Sequence, residues 1–280
     1  MNWPASVHED VKRNARTHDR LARGYDTKHA EIYNPLEQGR LEATIDDLLR
    51  LLQINSPEVL DFGAGTGNLT LKFARRGCRV TAADVSSRSL ELLRSRVPSG
   101  RSVAVELLTG NRIPLADASF DIVATYSVLH HVPEYLQSIR EMARVLRPGG
   151  LLYIDHEFNP AAWEPNESLR AYRELTKLSR LAHLRQLVNT GELFTSEFVK
   201  TAFIKAFVNR RYEREGDLHV WPDDHIEWDK VEATLREAGV VIVRSCDYLL
   251  FQPRGLVTAY RTYAGLCNDT RYVFARKGQG

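Results

Sequence analysis

Residues 57–67 read Pro57-Glu58-Val59-Leu60-Asp61-Phe62-Gly63-Ala64-Gly65-Thr66-Gly67, a short apolar run that ends in an acid and passes into three alternate glycines. Val59 and Leu60 have the character of the end of a buried parallel strand. The glycines, lacking Cβ, let the backbone of the next turn approach a ligand closely. Leu69, Phe73 and Ala74 then recur at helical spacing up to Arg75, Arg76 and Gly77, where basic residues and a glycine mark a helix C-terminus. Cys78 to Ala83 reads as the next strand, with Asp84 at its carboxyl end. Doubly wound sheets bind ligands at that end, and an acid there can accept both hydroxyls of a ribose.

The glycine spacing separates classes of nucleotide. A dinucleotide fingerprint requires G-x-G-x-x-G, whereas here Gly63, Gly65 and Gly67 are followed by Asn68, so the third glycine comes one residue early. No Gly-Lys-Ser/Thr ending is present to make a Walker loop. Asp61, directly before the loop, would repel a pyrophosphate but suits a ligand carrying an ammonium and a sulfonium, as S-adenosyl-L-methionine does.

Three further segments follow in order: Ile113-Pro114-Leu115-Ala116-Asp117-Ala118-Ser119-Phe120-Asp121, Val128-Leu129-His130-His131-Val132 and Leu146-Arg147-Pro148-Gly149-Gly150. With the glycine loop and Asp84, residues 57–157 resemble the core of class I S-adenosylmethionine-dependent methyltransferases of the small-molecule, UbiE-like type. The resemblance implies an α/β, Rossmann-like seven-stranded sheet in the order 3-2-1-4-5-7-6. It implies that Asp61 and the Gly63, Ala64, Gly65 and Gly67 backbone hold the methionine part of the cofactor, and that Asp84 and Val85 hold ribose and adenine. Many relatives carry a Gly-Asp-Ala segment four residues before the Leu-Pro; here Leu108-Thr109-Gly110 stands there. Thr109 offers a hydroxyl without charge, so adenine recognition is expected to rest on the backbone of Thr109 and Gly110.

Around this core the chain divides into an N-terminal helical cap (1–55), the cofactor-binding core (56–158), a helical lid insertion (159–225) and a C-terminal completion of the sheet (226–280), expected as one fused unit. The cap has helical patterns interrupted at Gly24-Tyr25-Asp26 and at Asn34-Pro35. Tyr25 is a candidate to close over the cofactor, with simple packing the alternative; His29 and Tyr33 read as packing residues. Leu169, Tyr172, Leu175, Leu178, Leu181 and Leu184 make one amphipathic stripe of the lid, and Phe194, Phe198, Phe203 and Phe207 another. These either select the acceptor or attach the insertion to the sheet or to a second copy, a possible homodimer. Lys205, Arg210, Arg211 and Arg214 form a locally basic run that reads as a solvated helix face or an anion contact. Trp228 to Ala238 reads as a crossover helix, Val240 to Cys246 and Arg271 to Arg276 as the last strands, and Leu256 to Cys267 as a further helix.

Composition bounds the rest. With 280 residues and 43% hydrophobic content the chain can bury one substantial core. Its 38 basic and 36 acidic residues leave a formal charge of only +2, which creates no global field toward nucleic acid or membrane. Cys78, Cys246 and Cys267 are too scattered for a disulfide framework or a zinc site, so no metal is implied. Met1 to Asp10 has no apolar core, and the chain reads as cytoplasmic, with neither signal peptide nor membrane span.

For chemistry, methyl transfer asks mainly for proximity and orientation, with a general base where the nucleophile is a hydroxyl or protonated amine. Two regions supply candidates at strand ends: His130 and His131 after strand four, and Asp155-His156-Glu157 after strand five. By analogy with the family, His131 and Tyr126 lie nearer the cofactor, and His130 or His156 nearer the acceptor; the alternative is that the paired histidines only shape their loop. A small-molecule O-, N- or C-methyltransferase is the leading expectation. A macromolecule (RNA or protein) methyltransferase, methyl addition to an alkene with cyclopropane formation, and a non-catalytic cofactor-binding module are the alternatives.

Overall fold

The apolar run after Pro57 is strand β1 (Glu58–Phe62) of a computed structural model that describes residues 5–110, 112–176, 203, 226–251 and 257–279. Strands β2 (Arg79–Asp84), β3 (Val103–Leu107) and β4 (Phe120–Tyr126) are followed by β5 (Leu146–Phe158), β6 (Val240–Tyr248) and β7 (Thr270–Lys277). They join in one sheet in the order β3-β2-β1-β4-β5-β7-β6, as the resemblance implied. Strands β1 to β5 pair in parallel, and β7 runs antiparallel between β5 and β6. Every residue of β4 is buried, as expected of a central parallel strand covered on both faces. The chain reverses direction across the sheet between β1 and β4, so their carboxyl ends open a crevice at the switch point.

Helix α1 (Ala5–Leu21) and the single turn α2 (Tyr25–Lys28) form the leader, and α3 (Pro35–Leu52) begins the covering layer. The Asn34-Pro35 break proves to be a helix start. The Asn34 side chain accepts from the Leu36 and Glu37 amides at 3.1 and 3.0 Å, with Pro35 preset in the first turn. Leu41, Ile45 and Leu48 recur at helical spacing and are fully buried against the sheet face that carries Val59, together with Phe73 of the neighbouring helix Asn68–Arg75, each worth ~1.5–3 kcal/mol of burial. Helix α4 (Asn68–Arg75) leaves the glycine loop, α5 (Ser87–Arg96) follows Asp84, and α6 (Tyr135–Val145) packs the opposite face.

Strand β5 begins at Leu146, earlier than Leu151; it pairs with Phe120 there, the register then shifts before Leu151 meets Ile122, and in that irregular stretch Gly150 packs so closely that a Cβ would sit 2.8 Å from the Asp121 carbonyl oxygen. At its other end the pairing with β7 shifts between Ile154 and Glu157, a bulge that holds His156 at φ +61°. Strand β6 runs past Cys246 to Tyr248.

The insertion opens with α7 (Glu167–Thr176), whose Leu169 and Tyr172 are buried against Leu249 and Cys267 while Leu175 is exposed. These two residues of the expected stripe pack the helix on the segments that flank the last two strands. Phe203 is exposed; Leu178, Leu181, Leu184, Phe194, Phe198, Phe207, Lys205, Arg210, Arg211 and Arg214 lie outside the described residues. Helices α8 (Trp228–Glu237) and α9 (Val257–Tyr263) complete the order, α9 shorter than the expected Leu256 to Cys267. Among the described residues no helix is long and apolar enough to cross a membrane.

Candidate functional site

The three alternate glycines do different work. All have positive φ, of +76°, +51° and +103° for Gly63, Gly65 and Gly67. A Cβ on Gly63 would lie 2.4 Å from Val128 Cγ2, so this glycine lets the loop sit against the β4 end. A Cβ on Gly65 would meet nothing within 4 Å, because its open side faces the crevice. Gly67 turns away from it toward Leu93, at 3.0 Å from a built Cβ, and starts α4. The Gly63 and Ala64 amides donate to the Ala83 carbonyl oxygen at 2.8 and 3.0 Å, and the Gly65 amide donates to Asp84 Oδ2 at 2.8 Å. The Ser86 amide takes Asp84 Oδ1 at 2.8 Å. Each oxygen of Asp84 therefore keeps acceptor capacity for a vicinal diol.

Asp61 and Asp84 give the crevice its electrostatic character. Asp61 Oδ2 accepts from the Thr70 amide at 2.9 Å and the Thr70 hydroxyl at 2.6 Å, which caps α4. Burial nevertheless pushes the Asp61 carboxyl up to about 7, with the neighbouring Asp84 charge adding to the rise. Burial raises Asp84 as well, against the pull of the Ser86 amide and of His18. Among the described residues neither acid is bonded to a lysine or arginine. Two buried acids left in this state call for a cationic ligand.

The crevice holds about 1020 Å³ of empty space, counting its mouth. Tyr25, Gly63, Ala64, Gly65, Asp84, Val85, Gly110, Tyr126 and His131 line it. Asp61, Gly67 and Thr109 are not among its lining residues; Asp61 lies behind the loop on Thr70, and Thr109 is exposed. Tyr33, read from sequence as a packing residue, lines the crevice with its hydroxyl 3.3 Å from Thr66 Oγ1. Asn14 and His18 line it too, and no sequence signal singled them out. The leader is bonded across the crevice. Asn14 Nδ2 donates to the His131 carbonyl oxygen at 2.8 Å, Asp19 accepts from Ser86 Oγ at 2.7 Å and from the Arg88 amide at 3.1 Å, and Asp26 accepts from Thr66 Oγ1 at 2.7 Å.

His130 and His156 sit one layer behind the crevice wall, each held by an acid. Glu157, fully buried, accepts from the Val128 and Leu129 amides at 3.0 and 2.8 Å and bonds His130 Nδ1 at 2.8 Å. His156 stacks on Tyr126 with ring centroids 4.7 Å apart, its Nδ1 2.9 Å from the Tyr126 hydroxyl. That hydroxyl donates to Glu37 Oε1 at 2.8 Å. Arg40 bridges Glu37 and Asp155, at 2.5 Å to Glu37 Oε1 and 2.8 Å to Asp155 Oδ2, and lies over the Tyr248 ring at 4.0 Å. Tyr153 and Tyr248 donate to the two oxygens of Asp155. Sequence reasoning missed Glu37 and Arg40 altogether, because on α3 they read as solvent-facing charges.

A family model described as a methyltransferase domain matches residues 60–154. A demethylmenaquinone methyltransferase of Beutenbergia cavernae is 32% identical over 178 residues, covering 64% of this chain and 71% of that protein. An uncharacterized methyltransferase of Mycobacterium bovis is 41% identical over 116 residues, 41% of this chain; the match spans 46% of the relative, less than half its length. Among solved structures, magnesium protoporphyrin IX methyltransferase from Synechocystis with bound S-adenosylhomocysteine superposes with a TM-score of 0.55 at 15% identity, covering 94% of this chain and 99% of the other, a likeness of fold.

Proposed function

The chain belongs to the class I S-adenosylmethionine-dependent methyltransferases, and from that premise we propose that it methylates an oxygen, nitrogen or carbon of a small-molecule acceptor by in-line displacement. The observation that carries the cofactor half is the pair of buried acids, Asp61 and Asp84, flanking an open glycine loop with no lysine or arginine bonded to either among the described residues. These residues fit a cofactor with two positive centres and a ribose, and they do not fit a pyrophosphate. When bound, S-adenosylmethionine supplies a methyl group on a sulfonium, an excellent leaving group.

The chain's own residues then have distinct tasks. Asp84 accepts the ribose hydroxyls with the capacity left by Gly65 and Ser86. Asp61 faces the cofactor's ammonium electrostatically through the Gly63 to Gly67 loop, and Val85 and Gly110 bound the adenine. Tyr25 and His131 close the methionine end beneath the leader, and Tyr126 walls the side toward His156. His130 and His156 are the candidate bases for an acceptor that must lose a proton; proximity within the closed crevice supplies most of the rate. A small acceptor is supported by the relatives named for demethylmenaquinone and for ubiquinone biosynthesis, and by the near-neutral charge of the chain.

Calorimetric titration with S-adenosylmethionine and S-adenosylhomocysteine tests this reading without the acceptor. Micromolar binding that is lost in Asp84→Ala is expected, followed by turnover in a screen of quinol, phenol and amine acceptors. Absence of binding to either ligand overturns it.

A further inference from the structure

Lys72, on α4, is buried, and the way it is held fixes the direction of two amide side chains. An ammonium only donates. Lys72 Nζ donates to Gln38 Oε1 at 2.5 Å and to Asn68 Oδ1 at 3.0 Å, so both amides turn their oxygens to it. Gln38 Nε2 is left to donate, to Asn68 Oδ1 at 3.1 Å and to the Ile32 carbonyl oxygen at 3.0 Å. Asn68 Oδ1 thus accepts twice, and the orientation of this amide follows from its partners. Its Nδ2 is buried and, among the described residues, has no hydrogen-bond partner. Asn68 lines the crevice, while Gln38 and Lys72 do not. The amide therefore turns its oxygen away from the crevice and leaves its NH2 group on the crevice side. A buried donor without an acceptor is uncommon and works against the fold, which makes it a mark of a group that bonds something else.

The charge behind Asn68 is incomplete in the same sense. Burial pushes the Lys72 ammonium below its ordinary value, against the pull of Glu42. Glu42 stands 3.9 Å away and is itself bonded to Arg76. Among the described residues no lysine or arginine lines the crevice, whereas Asp84 does. A cofactor whose amino-acid end carries a carboxylate beside its ammonium needs a donor there, and Asn68 follows directly on the glycine loop. We propose that Asn68 Nδ2 receives the α-carboxylate of the bound cofactor, and that Lys72, through Asn68 Oδ1, supplies the positive charge for it from behind the wall. The proposal rests on the cofactor half of the reading above. A cation bonded to an amide oxygen polarises the amide and strengthens its N–H donors, so Lys72 acts on the carboxylate without meeting it. Gln38 is a positioning residue that closes the network on α3. The two ends of the zwitterion are thereby divided, with Asp61 favouring the ammonium and Asn68 the carboxylate.

Calorimetry with two ligands separates the carboxylate from the rest of the cofactor. One is S-adenosylhomocysteine; the other is its decarboxylated analogue, which keeps the adenosine, the thioether and the amine. The wild type should bind S-adenosylhomocysteine at least about tenfold more tightly than the analogue. Asn68→Asp keeps an acceptor for Lys72 and Gln38 but sets a carboxylate against the ligand's own. Its ligand-free Tm should be no lower than that of the wild type, while its affinity for S-adenosylhomocysteine falls at least about thirtyfold and that for the analogue stays within about threefold. Lys72→Met should lose about three- to tenfold toward S-adenosylhomocysteine, again with the analogue unchanged. Equal losses toward both ligands in Asn68→Asp, or no loss toward either, overturn the proposal, as does a wild type that does not distinguish the two. Unchanged S-adenosylhomocysteine affinity in Lys72→Met overturns the part given to Lys72. Should Asn68→Asp fail to fold, Asn68→Ala decides by the same comparison: a loss confined to S-adenosylhomocysteine supports the proposal, and equal changes refute it. A wild type that binds neither ligand strikes instead at the cofactor reading beneath.

Discussion

Replacing Asp61 by Asn should make the ligand-free protein more stable, and increasingly so as pH rises. The carboxyl ordinarily titrates at 3.8, and burial pushes it up to about 7 in the fold. A carboxyl raised in this way favours the native state at low pH, where it is protonated in both states, and that advantage is lost as pH climbs from about 4 to about 7. Above pH 7 the fold must hold the charge, at a cost of about 4 kcal/mol for a shift of roughly three units at ~1.4 kcal/mol each; at pH 5 the cost is still only roughly 2 kcal/mol. Asn keeps an oxygen for the Thr70 amide and hydroxyl, now at 2.9 and 2.6 Å, so the cap on α4 survives without the charge. The stability difference between Asp61→Asn and wild type should therefore widen by roughly 2–3 kcal/mol between pH 5 and pH 8, or roughly 5–10 °C in Tm. Thermal melts of both proteins at pH 5, 6.5 and 8 read this directly. The same variant should gain less stabilisation from S-adenosylhomocysteine, whose ammonium compensates the wild-type charge. Parallel Tm curves across that pH range would refute the claim that Asp61 is held against its charge.

The other expectations concern the loop and the leader. Asp84→Ala removes the acceptor of the Gly65 and Ser86 amides together with the ribose partner, so calorimetry should show cofactor affinity reduced at least a hundredfold while the far-ultraviolet spectrum is retained. Gly63→Ala puts a Cβ 2.4 Å from Val128 at a φ of +76°; denaturation should show a loss of about 1–3 kcal/mol, with cofactor binding abolished. Asp19→Ala removes the bonds that tie α1 to Ser86 and the start of α5; a stability loss of about 1 kcal/mol and a faster cofactor off-rate by stopped flow are expected, whereas an unchanged off-rate would mean the leader does not gate the crevice.

The fold and the cofactor loop were legible because their physics is local. An acid at a strand end followed by alternate glycines constrains a handful of consecutive residues, and positive φ values at Gly63, Gly65 and Gly67 are visible as the residue type itself. The exceptions have physical reasons. Gly150 was read only as part of a motif, although its close approach to the Asp121 carbonyl oxygen sits in the register shift that precedes Leu151. Asp61 was assigned to the methionine part from its place beside the loop, yet its hydrogen bonds go backward to Thr70, a direction that sequence adjacency cannot show. The buried cluster was invisible for a different reason. Glu37 and Arg40 lie three residues apart on α3, the spacing of an ordinary surface pair, and only the arrival of β5 and β6 with Asp155 and Tyr248 turns them inward.

That cluster shares one wall with the crevice. Tyr126 lines the crevice with its ring and bonds Glu37 and His156 with its hydroxyl. On the crevice side Asp84 lines the wall with Asp61 behind the loop; behind the wall Glu37 and Asp155 share the single guanidinium of Arg40. A cation entering the crevice is attracted by the first pair and separated from the His156 ring by an aromatic face, a surface that tolerates positive charge.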